Sequence, residues 1–377
     1  MKKKKFSKIA EALIMTVIGF LIGAAVGAAA VSFLPSLGIK NIIVGFTTLL
    51  LGFILHVFIH EFGHLVAGKM SGYGFVSIRF FNIIFIKKDA QLIRKKFNIA
   101  GTLGQCLMSP PEPKEGKYPF VLYNLGGGLM NFIFSTIFLA LYFLFSSVFE
   151  LSWIFSLLAF IGIAIGLFNI LPLKMSGNMP NDGYNALTLG KDKLARSALW
   201  ALLNINALGT KGVRFRDIPP EQINFIEETT PNNCKNAIIT NVKLYKFSWL
   251  MDRHDFQEAK TFAENLLNTT EKMLDILKNE LYCELLFLEL IGDCRKEEIE
   301  CLYDKNLKKY IKATSSYISR QRLQYAYAKL FLKDDAEATK ALEKFNKICL
   351  SYPFEGEIAE NRDLIAVVDD IIHLRGL

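Results

Sequence analysis

Paired cysteines are missing from this chain. Its six cysteines, Cys106, Cys234, Cys283, Cys294, Cys301 and Cys349, show no Cys-x-x-Cys spacing. A disulfide framework is therefore not indicated, and the residues read as free thiols of a reducing compartment. Histidine is nearly as scarce, with five in 377 residues. His254 and His373 stand alone and no metal is expected at either, whereas His56, His60 and His64 fall within one stretch. Basic charge lacks concentration. The net +8 gathers at the flanks of apolar segments, where Lys and Arg set membrane orientation, so no nucleic-acid partner is expected. Charge of either sign is almost absent from several long runs in the first half, which excludes a chain that is water-soluble throughout.

Those runs predict a mainly α protein. A polytopic α-helical membrane domain with a small β-hairpin or sheet element is followed by a soluble α-helical hairpin-repeat domain. Spans are expected at about residues 12–34, 42–70, 120–149 and 154–171, each long enough to cross a bilayer. The membrane domain then covers 1–208, a linker 209–220, and the soluble domain 221–377. Lys2 to Lys5 precede the first run, which is too long for a signal-peptide core and ends in the poor cleavage site Phe33-Leu34-Pro35. The run is expected to stay as a span with its lysines cytoplasmic. Between the second and third runs, Lys69, Arg79, Lys87, Lys88, Arg94, Lys95, Lys96, Lys114 and Lys117 outweigh Asp89, Glu112 and Glu115, which marks a cytoplasmic loop. Four crossings leave both termini in the cytoplasm of a multi-pass protein of a bacterial-type cytoplasmic membrane. Within the loop, Phe75 to Ile86 has strand character and Asn98 to Gly104 can pair with it. An open edge of that sheet can hold a substrate segment in extended form; equally, the sheet can simply lie on the membrane surface.

The second run ends in His60-Glu61-Phe62-Gly63-His64. Four residues apart on a helix, the two imidazoles share a face. They can hold one zinc ion, with Glu61 beside it to take a proton from water that the metal has acidified. A third ligand must come from elsewhere in the chain. Ionisable groups inside a span are costly unless paired or functional; the bland alternative is a helix whose polar residues bond to neighbouring helices. His56 stands one turn earlier on the same face, as a partner behind the ligands or a lining of the water path rather than as a ligand.

The third run opens with Asn124-Leu125-Gly126-Gly127-Gly128-Leu129-Met130-Asn131. Its glycines permit close backbone approach. Asn131 carries a donor and an acceptor into the membrane, either as glue between helices or to act on substrate near the metal. The fourth run ends in Asn169-Ile170-Leu171-Pro172, where Pro172 stops the helix. Asp182-Gly183 follows on the side of the membrane expected for His64. Residues 184–208 suit an amphipathic surface helix or a fifth, short membrane helix.

These pieces together resemble the site-2 protease family of intramembrane zinc metallopeptidases, over roughly residues 10 to 200. The matching elements are His60-Glu61-x-x-His64, the Gly-rich segment ending at Asn131, and Asn169-x-x-Pro172 followed by Asp182-Gly183. The resemblance implies Asp182 as third zinc ligand and Glu61 as general base, with Asn131 and Asn169 positioning the substrate. The chain carries Gly127-Gly128 where that family usually has Gly-Pro, and a longer spacing from Asn169 to Asp182. The implied reaction is hydrolysis of a peptide bond in or near a membrane span of a small membrane protein or peptide precursor, with one Zn2+ per chain.

The soluble half reads as successive helices with a recurring junction, at Asp252 to Ala259, Gly292 to Ile299 and Leu332 to Thr339. The last unit, ending Tyr352-Pro353-Phe354, looks like a tetratricopeptide helical hairpin. Three such hairpins would stack with a concave face that can bind a protein partner, or the array can serve only to stabilise the membrane part. Two competing functions stand beside the enzyme. One is a non-catalytic membrane scaffold binding a partner through the array. The other is a metal transporter, against which the first span offers no ionisable side chain.

Overall fold

The computed structural model describes residues 38–89, 91–99, 102–174, 180–224, 236–270 and 273–375. The span expected at 12–34 lies outside the described residues. Contacts divide the chain into two compact units. One is built from the chain up to His64 with Asn124–Lys174 and Asn181–Tyr184; the other from Leu65–Tyr123 and the chain from Asn185 onward.

Among the described residues, three helices are long and apolar enough to cross a membrane: α1 (Ile39–Met70), α2 (Val121–Leu144) and α3 (Phe149–Ile170). They correspond to the second, third and fourth expected spans. The last starts earlier than its apolar run suggests, so Glu150 and Ser152, expected in a turn, lie inside it. The reason is electrostatic. Glu150 sits in the first turn of α3, where the helix N-terminus favours a carboxylate, and its Oε1 lies 3.2 Å from Lys40 Nζ. Large apolar side chains face outward, Phe46 being 71% and Phe143 67% exposed. Such a surface is unfavourable in water and suited to lipid. Where the helices meet, side chains shrink. A Cβ on Gly63 would run into the Gly126 carbonyl, and one on Gly166 would lie 3.2 Å from the Gly128 carbonyl oxygen. Backbones this close leave no room for more than glycine.

In the second unit, β1 (Gly74–Phe80), β2 (Ile83–Lys88), β3 (Gln91–Lys96) and β4 (Gly104–Ser109) form an antiparallel sheet in the order β3-β2-β1-β4. The second partner of β1 is therefore Gly104–Ser109, one segment later than the expected Asn98–Gly104. Arg79 explains the shift. It is buried in β1, and its guanidinium donates to the Phe81 carbonyl, to Thr102 and to the Gly104 carbonyl. Those bonds tie residues 102–104 to the end of the strand, so pairing along it starts only at Gly104.

Beyond α4 (Asp182–Leu189), helix α5 (Lys193–Thr210) packs on β4. Trp200 Nε1 donates to the Pro111 carbonyl at 2.9 Å, and Tyr118 Oη to that of Arg196 at 3.0 Å. Residues 184–208 are thus the body of α4 and most of α5. The latter is capped by Asp192, whose Oδ1 accepts from the Ala195 N–H at 3.0 Å, and it buries Ala195, Ala198, Ala201, Leu203 and Ala207. A one-turn helix α6 (Glu221–Asn224) follows.

The described residues of the unit add eight α-helices, α7 (Ala237–Asp252), α8 (Phe256–Thr269), α9 (Asp275–Ile291), α10 (Lys296–Leu302), α11 (Lys305–Ala313), α12 (Ile318–Ala326), α13 (Asp335–Cys349) and α14 (Glu355–Arg375), with a π-helical turn at Tyr327–Leu332 between α12 and α13. The recurring junctions separate α7 from α8, α9 from α10 and α12 from α13. Each contains a left-handed residue: His254 at φ 64°, Cys294 at φ 54° and Lys333 at φ 56°. At each, an amide at or just after that residue reaches back: Asp255 to the Leu250 carbonyl, Cys294 to Glu289 and Asp334 to Ala328. At all three junctions a left-handed residue ends the helix and the backbone bond beside it satisfies a carbonyl that would otherwise be orphaned.

Candidate metal centre

Every residue of the candidate site belongs to the first unit. His60 and His64 project from α1, one turn apart. Their Nε2 atoms lie 3.1 Å from each other. Asp182 Oδ2 lies 3.2 Å from Nε2 of His60 and 3.4 Å from Nε2 of His64. Among the described residues this is the one group of three His, Cys, Asp or Glu side chains whose ligand atoms converge closely enough to hold a metal ion. The separations can be tested against the chemistry. Zinc takes imidazole nitrogen and carboxylate oxygen at about 2.0–2.2 Å in tetrahedral array, so neighbouring ligand atoms stand about 3.3–3.5 Å apart. Distances of 3.1–3.4 Å among three atoms outline one face of such a tetrahedron.

Asp182 reaches this face because Asn181 anchors the chain just before it. Asn181 Nδ2 donates to the carbonyls of Phe168 and Leu171, at 2.6 and 2.7 Å. Its Oδ1 accepts from the Leu173 and Tyr184 N–H groups, at 3.1 and 2.9 Å. One side chain thus caps the start of α4 and takes up carbonyls at the end of α3, where Pro172 has ended the helix. A Cβ on Gly183 would collide with the Ile170 carbonyl, so only glycine lets α4 begin against that helix end. The extra residues between Asn169 and Asp182, of which 175–179 lie outside the described residues, do not displace the carboxylate.

Behind His60 runs a row of polar side chains. His56 is fully buried; its Nε2 lies 2.9 Å from the Leu158 carbonyl and its Nδ1 3.0 Å from the Asn131 side chain. The other arm of Asn131 lies 3.3 Å from Nδ1 of His60. The directions of these bonds follow from the carbonyl, which can only accept. His56 donates to it from Nε2, which leaves Nδ1 an acceptor in the neutral ring. Asn131 then presents its NH2 to His56 and its Oδ1 to His60, a half-turn of the amide that leaves the heavy-atom positions in place. His60 donates from Nδ1, and its Nε2 is bare for a metal. The opposite sense requires an imidazolium on His56, in a site with no exposure whose neighbours are an amide, a carbonyl and the Phe138 ring. A charge buried without a counter-charge is far the costlier choice.

Glycine seals the row. A Cβ on Gly127 would come within 2.5 Å of His60 Cε1, and one on Gly162 would strike His56 and Ser135. Ser135 Oγ donates to the Asn131 carbonyl at 2.8 Å. Glu61, adjacent to His60, is 7% exposed. Asn169 donates from Nδ2 to the Ile165 carbonyl of its own helix at 2.9 Å. The structure therefore brings His60, His64 and Asp182 together and sets Asn131 behind His60. Sequence reasoning missed Asn181, although an asparagine directly before Asp-Gly at a helix start is a recognisable cap. Comparisons with protein-family models, curated proteins and solved structures found no match.

Proposed function

We propose that this chain is a zinc-dependent intramembrane endopeptidase of site-2 protease type, cutting a peptide bond in or near a membrane span of a small membrane protein or peptide precursor. The observation that carries the reading is the approach of His60, His64 and Asp182 atoms to within 3.1–3.4 Å of one another at the end of an apolar helix that also carries Glu61. His60, His64 and Asp182 would hold the zinc ion, which would supply polarisation of the scissile carbonyl and a bound water with a pKa of about 7.

The protein's own groups do the rest. His60 and His64 would hold the ion through Nε2. Asn131 and His56 fix the tautomer and tilt of the His60 ring, the support on which metal-ligating histidines depend. Glu61 takes the proton of the attacking water on its carboxylate and returns it to the leaving amine nitrogen. The apolar helices around the site exclude bulk water and strengthen each of these interactions. A helical substrate hides its carbonyls in hydrogen bonds, so residues with low helix propensity near the cut would ease its unwinding. In this reading α1, α2 and α3 cross a bacterial-type membrane together with the run at 12–34, both termini face the cytoplasm, and the helices from α7 onward recognise a substrate or partner protein.

The test is co-expression of wild type and Glu61→Gln with single-span substrates. The variant is expected to fold, to hold one zinc per chain and to cut nothing. Cleavage at the wild-type rate would remove Glu61 from the mechanism.

A further inference from the structure

The second unit contains a cavity of about 290 Å3 that the proteolytic reading does not use. It lies among α7, α9, α12 and α14, and its walls include Glu280, Glu284, Glu357, Glu360, Asn361 and Arg322. Two of the four carboxylates are matched. Glu280 accepts from Arg320 and Tyr310, and Glu284 from Arg322. Glu357 accepts only a neutral hydroxyl, that of Tyr352 at 2.7 Å. Glu360 is 6% exposed, yet among the described residues it makes no hydrogen bond and no ion pair. Beside it Asn361, 4% exposed, donates its amide N–H to the Glu357 carbonyl at 2.9 Å and leaves its Oδ1 with no donor. Buried acceptors are almost always bonded, and one that is not calls for a ligand or a role.

We propose that this cavity binds an alkylguanidinium or alkylammonium group, with Glu360, Glu357 and the Asn361 Oδ1 receiving its N–H donors. The acceptors are in surplus, so the missing partner is a donor, and two unmatched carboxylates make it a cation. A bare metal ion does not suit them, since no three carboxylate oxygens here converge as His60, His64 and Asp182 do among the described residues. Acceptors spread along a wall suit a forked or extended cation instead. Tyr245 and Phe247, also in the lining, supply apolar surface for its carbon stem. The volume is at the small end of ligand sites and matches one side chain or a small amine.

The titratable groups that line the cavity are Glu280 and Glu284 from α9, Tyr317 and Arg322 at and within α12, Glu357 and Glu360 from α14 and Tyr245 from α7, with Arg320 and Asp252 acting on them from nearby. Burial pushes the Glu357 carboxyl up to about 7 and the Glu360 carboxyl well above its ordinary value, helped by Asp252 and opposed by Arg322. The empty cavity therefore holds protons that an arriving cation displaces.

The experiment is calorimetric titration of the full-length protein in detergent at pH 7.5, in two buffers of different ionisation heat. The probes are agmatine, putrescine and the capped peptide acetyl-Gly-Arg-Gly-amide. One-to-one binding with net proton release is expected from at least one probe. Glu360→Gln should weaken it at least about tenfold, Asn361→Ala should weaken it measurably, and the exposed control Glu343→Gln should leave it unchanged. Binding of the free amines alone assigns a small-molecule ligand; binding of the peptide, with or without them, assigns a basic side chain. The proposal fails if no probe gives a saturable heat, or if both cavity variants bind as wild type does.

Discussion

The Asn131 side chain stands 3.3 Å from Nδ1 of His60, on the opposite side of the ring from the atom that faces Asp182. If zinc binds as proposed, a residue that does not touch the metal would set its affinity. Replacing Asn131 by leucine removes the acceptor that holds His60 in the tautomer with a bare Nε2. It also leaves the buried Nδ1 of His56 without a donor. Loss of such a supporting partner typically costs about 10–100-fold in metal affinity. Competition with a chromogenic chelator should show a decrease of that size for Asn131→Leu, with one zinc per chain still reached at saturation. Unchanged affinity would mean that the row behind the site is packing only.

Asn181 offers the complementary test at the other end of the site. Its four bonds to the ends of α3 and α4 hold Asp182 in place without touching it. Asn181→Ala should lower zinc affinity even though every ligand remains. It should also cost about 1–3 kcal/mol of stability, the sum expected for a lost cap and unsatisfied carbonyls. Asp182→Ala should lose tight zinc outright. If Asn181→Ala binds zinc as wild type does, the α3–α4 connection is held by other means.

These two asparagines show what the sequence could and could not tell. The spacing of His60 and His64 was legible because a helix maps four residues onto one face, and the apolar runs gave α1, α2 and α3 to within a few residues, the end of α2 and the start of α3 excepted. Asp182 could be nominated only through a family resemblance, since no local rule says where a chain returns after a break such as Pro172. What returns it is Asn181, whose partners are backbone groups of residues 168–173 and 184, and bonds to backbone carry no sequence signature beyond the cap itself. The sheet partner of β1 was misread by one segment for a similar reason. Arg79 reads as a loop charge in sequence, whereas in the fold it is buried and bonded to three backbone neighbours.

The pH dependence of the helices from α7 onward should reflect two glutamates whose carboxyls are shifted in opposite directions. Burial raises Glu357 to about 7 from an ordinary 4.5, so the folded state binds its proton more tightly than the unfolded chain. Its contribution is complete below pH 4.5 and is lost as pH rises through 7. Glu289 is the reverse. Hydrogen bonds from Arg295, at 2.8 and 2.9 Å, outweigh the cost of burial and lower it to about 2. Its contribution is present above pH 4.5 and fades as pH falls toward 2. Thermal unfolding of the full chain should show Glu357→Gln flattening the decline between pH 5 and 8, and Glu289→Gln weakening the protein chiefly above pH 4.5. A Glu357→Gln profile parallel to wild type over that range would show that this carboxyl titrates normally.

Gly127 provides a test of the site that leaves every polar group in place. Its Cα faces the His60 ring so closely that a single added methyl would sit 2.5–2.6 Å from Cε1, Nδ1 and Nε2, well inside contact distance. The ring cannot retreat, because its Nδ1 is held by Asn131 and Gly63 keeps α1 against the Gly126 backbone. Either α2 shifts outward or the imidazole rotates away from His64 and Asp182. Overpacking of this kind costs about 1–3 kcal/mol, and the site lies where the strain must be released. Gly127→Ala should therefore insert and fold, bind zinc at least about tenfold more weakly and lose cleavage in proportion. The neighbouring Leu129→Ala, on a partly exposed position of the same helix, should change neither. Equal zinc affinity in Gly127→Ala and wild type would show that His60 has freedom this geometry denies it, and with that the case for a preformed centre would fail.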